Sequence, residues 1–254
     1  MNLFNRAIAA VAFVSLFCLV YYCIASGTVF WLIISYLYYK IVVGLLGNQI
    51  AQHRYFSHRG FVVQGFKKYL LYFSTMTTGA NPVSYAVAHR HHHIHSDTAT
   101  DLHSWKNTIW DIFSPITGRT SYKGKIKYST VLDNDLKKFH AWYNHVMIAA
   151  IVVTALVSWK VAVFVLLSGI AWNYIHMILF RVWLVHAKLP GSYQTFETGD
   201  HSWNNQFLQI LDLGEGLHNN HHQYPTRYDQ AVLPNEFDPA GWVVKKFFIQ
   251  KHLT

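Results

Sequence analysis

The 254 residues are 52% apolar and 17% aromatic but only 13% charged, with two cysteines, which excludes a disordered chain and a disulfide-built secreted scaffold. The formal charge of +9, with no helix-turn-helix, zinc-finger or RRM pattern, points to a membrane surface or an acidic partner and away from nucleic acid. A mean hydropathy of +0.15 suits one domain, residues 1–254, with about half of its residues in lipid.

In chain order, the first apolar segment is 7–24 and holds both Cys18 and Cys23, expected as buried thiols. The small residues Ala25-Ser26-Gly27 could mark a cleaved signal, but a second apolar segment, 29–46, follows at once and favours a retained hairpin. A second pair, 143–158 and 161–185, is joined around Trp159-Lys160. Eighteen helical residues reach about 27 Å, enough for a hydrocarbon core. The short turns carry almost no Lys or Arg, so the positive-inside rule places the termini and the segments 47–142 and 186–254 in the cytoplasm. Between the pairs, residues 66–85 form an apolar stretch broken by Gly79, Asn81 and Pro82, expected to be a helix lying in the interface, with a re-entrant segment as the alternative. The predicted fold is an all-α polytopic membrane protein, four transmembrane helices in two hairpins under a cytoplasmic histidine-rich helical cap.

Three histidine clusters sit on the polar segments: His53-Arg-Tyr-Phe-Ser-His58, His89-Arg-His-His92-His93, and His218-Asn-Asn-His221-His222. On a helix, positions i, i+3 and i+4 lie at about 0°, −60° and +40°, so each H-x-x-H-H triplet shares a face while His91 points away. His53 and His58, five apart, fall about 140° apart on a straight helix and need a helix end or local unwinding to meet. Eight imidazoles exceed one ion's needs and match two ions close together; imidazole suits iron, zinc, copper and nickel alike.

The boxes H-x-x-x-x-H, H-x-x-H-H and H-x-x-H-H, with paired spans, resemble the membrane fatty acid desaturase family. The runs His53-Arg-Tyr-Phe-Ser-His-Arg-Gly-Phe61, His89-Arg-His-His-His-Ile-His-Ser-Asp97, Glu197-Thr-Gly-Asp200 and Gly214-Glu-Gly-Leu-His-Asn-Asn-His-His222 resemble its Δ9 acyl-CoA and acyl-lipid (stearoyl-CoA desaturase-like) branch, from about residue 30 to 242. The resemblance implies two irons, with zinc if misloaded, O2 as co-substrate, and a cis double bond placed in an acyl-CoA or acyl-lipid chain. It implies a ninth ligand, His186, with His176 as the weaker alternative; Val182 stands where the family has an asparagine. It also implies a separate donor of cytochrome b5 or ferredoxin type, since no heme or iron–sulfur cysteine pattern is present.

Asp97, Asp101, Asp200 and Glu215 are close enough in sequence to orient ligand imidazoles, and His103 is expected to support them. His95, His140, His145, His201 and His252 match no ligand position. Arg54, Arg59, Lys67, Lys68, Arg90 and Lys106 flank the boxes as candidate contacts for a headgroup, anionic lipid or the donor. The second span leads into His53, making Tyr38, Tyr39, Ile41, Val42 and Leu45 candidate walls of an acyl tunnel. Two rivals remain: a fatty-chain hydroxylase using the same metals, and a non-catalytic metal-binding membrane protein.

Overall fold

Apolar runs entering lipid fold as helices because a helix satisfies its backbone N–H and C=O groups within one segment. Residues 3–101, 109–117 and 134–249 are described in this computed structural model. Helix α1 (Leu3–Ser26) and helix α2 (Phe30–Ser57) are separated by a short turn. Helix α3 (Phe66–Met76), α4 (Pro82–His95) and the short α5 (Ser114–Thr117) precede α6 (Asn134–Val157) and α7 (Val161–His186). Helices α8 (Gln206–Asp212), α9 (His218–Gln223) and α10 (Pro239–Val243, continuing as a π-helix over Val244–Phe248) follow among the described residues. Four of them, α1, α2, α6 over Lys138–Val157 and α7, are long and apolar enough to cross a membrane. The third begins earlier than the sequence reading drew it, so it is no shorter than a bilayer requires.

Ring contacts set the helix directions. Tyr22 of α1 and Trp31 of α2 both meet Phe164 of α7, while Phe13 of α1 meets Tyr174 and Tyr36 of α2 meets Trp172. Helix α2 therefore runs with α7 and α1 runs against both. The last turns of α2 and α7 lie at one end of the bundle.

Two apolar clusters follow from this. One, in the bundle, joins Ala9, Ala12, Leu16 and Leu19 to Phe164, Ile170 and Tyr174. The other, at the histidine-bearing end, joins Ile50, Phe56 and Phe61 of the α2 region to Leu71, Val83, Val244 and Phe248. Gly47 lets α3 approach α2, since a Cβ there would lie 2.6 Å from the Ser74 carbonyl oxygen.

The 66–85 stretch is two helices rather than one. Asn81 is extended before Pro82, as a residue preceding proline must be, and its side chain accepts a hydrogen bond from Val83 N–H to start α4. Phe66, Lys67, Tyr69 and Phe73 on α3 are exposed, as are Phe207 on α8 and Trp242, Lys245, Lys246 and Phe247 on α10, the mix of apolar and basic side chains suited to a lipid interface. Both cysteines are free; Cys23 is buried, but Cys18 is exposed on the outer face of α1, against the expectation of two buried thiols.

Candidate metal centre

Helix α2 leaves α-helical geometry at Tyr39 and continues as a π-helix to Ser57. Winding by i→i+5 hydrogen bonds brings residues five apart nearly above one another. His58 N–H bonds to the His53 carbonyl at 3.2 Å, and the two imidazoles stand 4.9 Å apart. The unwinding that the i, i+5 spacing required is supplied by this segment.

Helix α7 changes winding too, from α over Ser168–Ile178 to π over Leu179–Trp183 and a 3-10 turn ending at His186. His186 thereby joins the site, its Nε2 lying 3.1 Å from His218 Nε2. His176 does not. It lies back within α7, 3.5 Å from the Tyr36 hydroxyl and 3.7 Å from Asp212.

Among the described residues nine histidines gather in two groups, each with ligand nitrogens within 4.8 Å of one another: His53, His58, His89, His93 and His221 in one, and His92, His186, His218 and His222 in the other. Each H-x-x-H-H helix serves both. Helix α4 sends its i, i+4 pair, His89 and His93, to the first group and the i+3 residue His92 to the second. Helix α9 reverses this, sending His218 and His222 to the second group and His221 to the first. His91 turns away and packs on His95 at 4.4 Å between rings.

Carboxylates stand behind the imidazoles. His92 Nδ1 lies 3.0 Å from Asp101, His222 Nδ1 2.5 Å from Asp200, and His218 Nδ1 3.1 Å from Glu215. Asp97 approaches His186 Nδ1 at 3.7 Å, an ion-pair distance beyond hydrogen-bond length. The second Glu215 oxygen lies 3.0 Å from His53 Nδ1. Burial alone would raise the Glu215 carboxyl, yet His53 and His218 hold it well below the usual carboxylate range. Burial opposes ionisation of Asp200 as well, and its contacts to His222 and Ser202 overcome it. Three of the four second-group imidazoles, those of His92, His218 and His222, thus hold an acid within hydrogen-bond reach of Nδ1. A carboxylate there keeps the proton on Nδ1, so the Nε2 lone pairs point at one another. His92 and His222 Nε2 stand 3.3 Å apart in that condition, an arrangement that repels unless a cation lies between them.

The support is built from residues with no local signature. Asn219 and Asn220, between the histidines of α9, point away from the site. Asn219 Oδ1 accepts from the Thr195 and Phe196 N–H groups, and Asn220 Nδ2 donates to Glu236 and the Gln230 carbonyl. Gly216 is required by contact: a Cβ there would sit 2.1 Å from Gln209 N, so Glu215 is pinned against α8.

A family model described as fatty acid desaturase matches residues 31–232, most of the chain and every histidine of both groups. The chain belongs to the fatty acid desaturase family. This desaturase is 27% identical over 230 residues to an acyl-CoA 5-desaturase of Anemone leveillei, covering 87% of this chain and 69% of the relative. It is 29% identical over 205 residues to the sn-1 stearoyl-lipid 9-desaturase of Anabaena variabilis, covering 74% and 70%. A chloroplastic palmitoyl-monogalactosyldiacylglycerol delta-7 desaturase of Arabidopsis thaliana is 29% identical over 216 residues, covering 81% of this chain and 56% of its own. The protein is accordingly a membrane oxidoreductase of the desaturase type.

Other sequence-predicted residues fall into place around the desaturase centre. Arg54 is not a surface cation: it is buried and donates to Asp238 and the Gly214 carbonyl, both at 2.8 Å, because α10 folds back over the end of α2. Arg90 likewise bonds to the Ser57 carbonyl at 2.6 Å. Lys67 remains exposed, Arg59 and Lys68 lie at the periphery, and Lys106, His103 and His252 lie outside the described residues. His140 pairs with Asn81, His145 lies against Trp142, and His201 N–H donates to Asp97, so none of these joins either group.

Sequence reasoning missed a buried polar brace behind the second group. Asp212 accepts from Gln49 at 2.8 Å and Arg181 at 3.0 Å, and Arg181 reaches Asn173. Asp212 lies three residues before Glu215, which was the only available hint.

Proposed function

We propose that this desaturase holds two irons in its two histidine groups and uses O2 to insert a cis double bond, at Δ9, into an acyl-CoA or acyl-lipid chain. The observation that carries the reading is the division of nine imidazoles into two adjoining sets of converging Nε2 atoms. His53, His58, His89, His93 and His221 would hold one ion and His92, His186, His218 and His222 the other. The donor set fits iron, and zinc if misloaded. Bound there, the irons supply the activation of O2 needed to remove hydrogens from methylenes that have no acidic proton.

The chain's own residues provide position and dryness. Tyr85, Met177, Arg181 and Val182 line a small cavity with His89, His92, His218 and Glu215 between the two groups. An acyl segment against Met177 and Val182 would present its carbons to both groups while excluding water. Val182 offers no polar atom where the family has an asparagine, so the ninth position rests on His186 and its acid, Asp97.

The acyl tail is proposed to run along α2. Of its candidate wall residues Tyr39 is fully buried against His176, Tyr38 lies against Gly169, and Val42 and Leu45 are partly buried. Ile41 is 52% exposed and turns outward, so it forms no wall within this chain. Single replacement of Tyr38, Tyr39, Val42 and Leu45 by alanine is expected to lengthen the preferred product chain in at least one variant; an unchanged profile in all four active variants places the tunnel elsewhere.

The spans are proposed to form two hairpins with the centre on the cytoplasmic face. The exposed basic and aromatic side chains of α3 and α10 support this orientation, meeting anionic lipid and an acidic donor of cytochrome b5 or ferredoxin type. Expression in a host lacking the activity, followed by derivatisation to locate new double bonds, tests the whole reading. A new cis monoene at Δ9 supports it. A double bond at another carbon overturns the regiochemistry, hydroxylated acids favour the oxygenase, and unaltered lipid with bound metal favours a non-catalytic protein.

A further inference from the structure

We propose that the four-histidine group binds its ion more tightly than the five-histidine group, and that Glu215 couples the occupancy of the two. This rests on the dimetal reading above and goes beyond it in ranking and linking the two ions.

The difference lies behind the ligands. In the four-histidine group three Nδ1 atoms lie within hydrogen-bond reach of a carboxylate, His92 of Asp101, His218 of Glu215 and His222 of Asp200, and the fourth, on His186, has Asp97 at 3.7 Å. Asp200 is itself fixed by Ser202 N–H at 2.9 Å and the Thr198 hydroxyl at 2.8 Å. In the five-histidine group, His221 Nδ1 has no hydrogen-bond partner although it is buried, and no carboxylate is among the described contacts of His58 or His93. Among the described contacts its acid is Glu215, which approaches His53 Nδ1 at 3.0 Å outside straight hydrogen-bond geometry. An acid at Nδ1 raises the basicity of Nε2, sets the tautomer and adds negative charge near the ion, and losing such a partner costs about 10–100-fold in metal affinity.

Glu215 is the one carboxylate among those described that touches both groups, with one oxygen on His218 and the other on His53. A cation at His218 Nε2 polarises its Nδ1–H and strengthens that hydrogen bond. The carboxylate is then held with its second oxygen toward His53, whose Nε2 lone pair turns to the other group. Loading one group thereby prepares the other, and by reciprocity the second ion secures the first. Glu215 is a positioning residue, since it acts through imidazoles.

The experiment is chelator release from purified full-length protein loaded with Fe2+ under anaerobic conditions, counting ions per chain by elemental analysis. The wild type is expected to lose two ions in two steps. His93→Ala is expected to keep one ion that resists chelator, and His222→Ala to keep one that leaves readily. Glu215→Gln, whose amide offers only one acceptor oxygen, is expected to move both steps to lower chelator by about 10–100-fold, whereas Asp200→Asn moves only the more resistant step. Release of both wild-type ions in one step, a more resistant ion in His222→Ala than in His93→Ala, or a Glu215→Gln effect confined to one step would each overturn the proposal. Monodisperse elution of the variants separates these outcomes from misfolding, and the wild-type profile needs no variant. Protein that never holds two ions contradicts the dimetal reading itself, so the two failures are distinct.

Discussion

Helices α4 and α9 carry the same H-x-x-H-H spacing and divide it between the two histidine groups in opposite senses, yet they are held by different means. Helix α4 has 14 residues, begins at a proline behind a capping asparagine, and packs Val83 and Ala86 into an apolar cluster. Helix α9 has six residues, too few to persist alone, and is fixed where Asn219 and Asn220 accept hydrogen bonds from the 195–204 loop and Asn220 donates to Glu236. One spacing delivers three imidazoles in both cases because helix geometry is local. What keeps each helix in place is a local cap and apolar packing for α4, and polar clamps to neighbouring loops for α9.

The largest expected effect tests the shared half of this comparison. His92→Ala should cost about 100-fold or more in desaturase activity, since even partners of a ligand are worth about 10–100-fold. His91→Ala, one residue earlier but turned toward His95, should retain most of it. Equal loss in two folded, membrane-inserted variants would mean that α4 does not present its triplet as drawn.

Next comes the response of metal-free protein to pH. Burial first, then neighbouring imidazoles, pushes His89 and His93 of α4 and His221 and His222 of α9 below the ordinary histidine value of 6.5, and His222 falls to about 3. Below 6.5 the unfolded chain takes up protons that the folded chain refuses. Stability is therefore full above that value and is lost as pH falls toward about 3. Thermal melts of metal-free protein from about pH 8 to about pH 5 should show a falling midpoint. His93→Gln and His222→Gln should each flatten the slope; flattening by one alone would confine the proton-linked strain to one helix.

Asn219→Ala should follow, destabilising by about 1–3 kcal/mol because the Thr195 and Phe196 N–H groups lose their acceptor. Its effect should appear in proteolysis of the 195–204 loop as well as in the melting midpoint. Asn81→Ala, which removes the cap of α4, should cost only about 1 kcal/mol and leave that loop untouched. A reversed order would show that α4, not α9, depends on its polar clamps.

Much of the site was legible from residue spacing. The three boxes, the turned-away His91, the need for unwinding after His53, and Glu215 three residues before His218 all concern residues within a few positions of one another, where helix geometry fixes direction, whereas Asp97, Asp101 and Asp200 meet their imidazoles only through the tertiary fold. The four apolar spans were legible too, since length and the absence of charge decide whether a segment can lie in lipid. The tertiary structure decided what depends on contacts distant in sequence. It put His186 rather than His176 beside His218, because α7 changes winding after Ile178. It turned Arg54 inward onto Asp238, 184 residues away. It also sorted nine imidazoles into five and four. On a helix i+3 and i+4 diverge by about 100°. That angle says that one triplet can reach two ions, but only the placement of α2, α4, α7 and α9 around a common space says which imidazole reaches which.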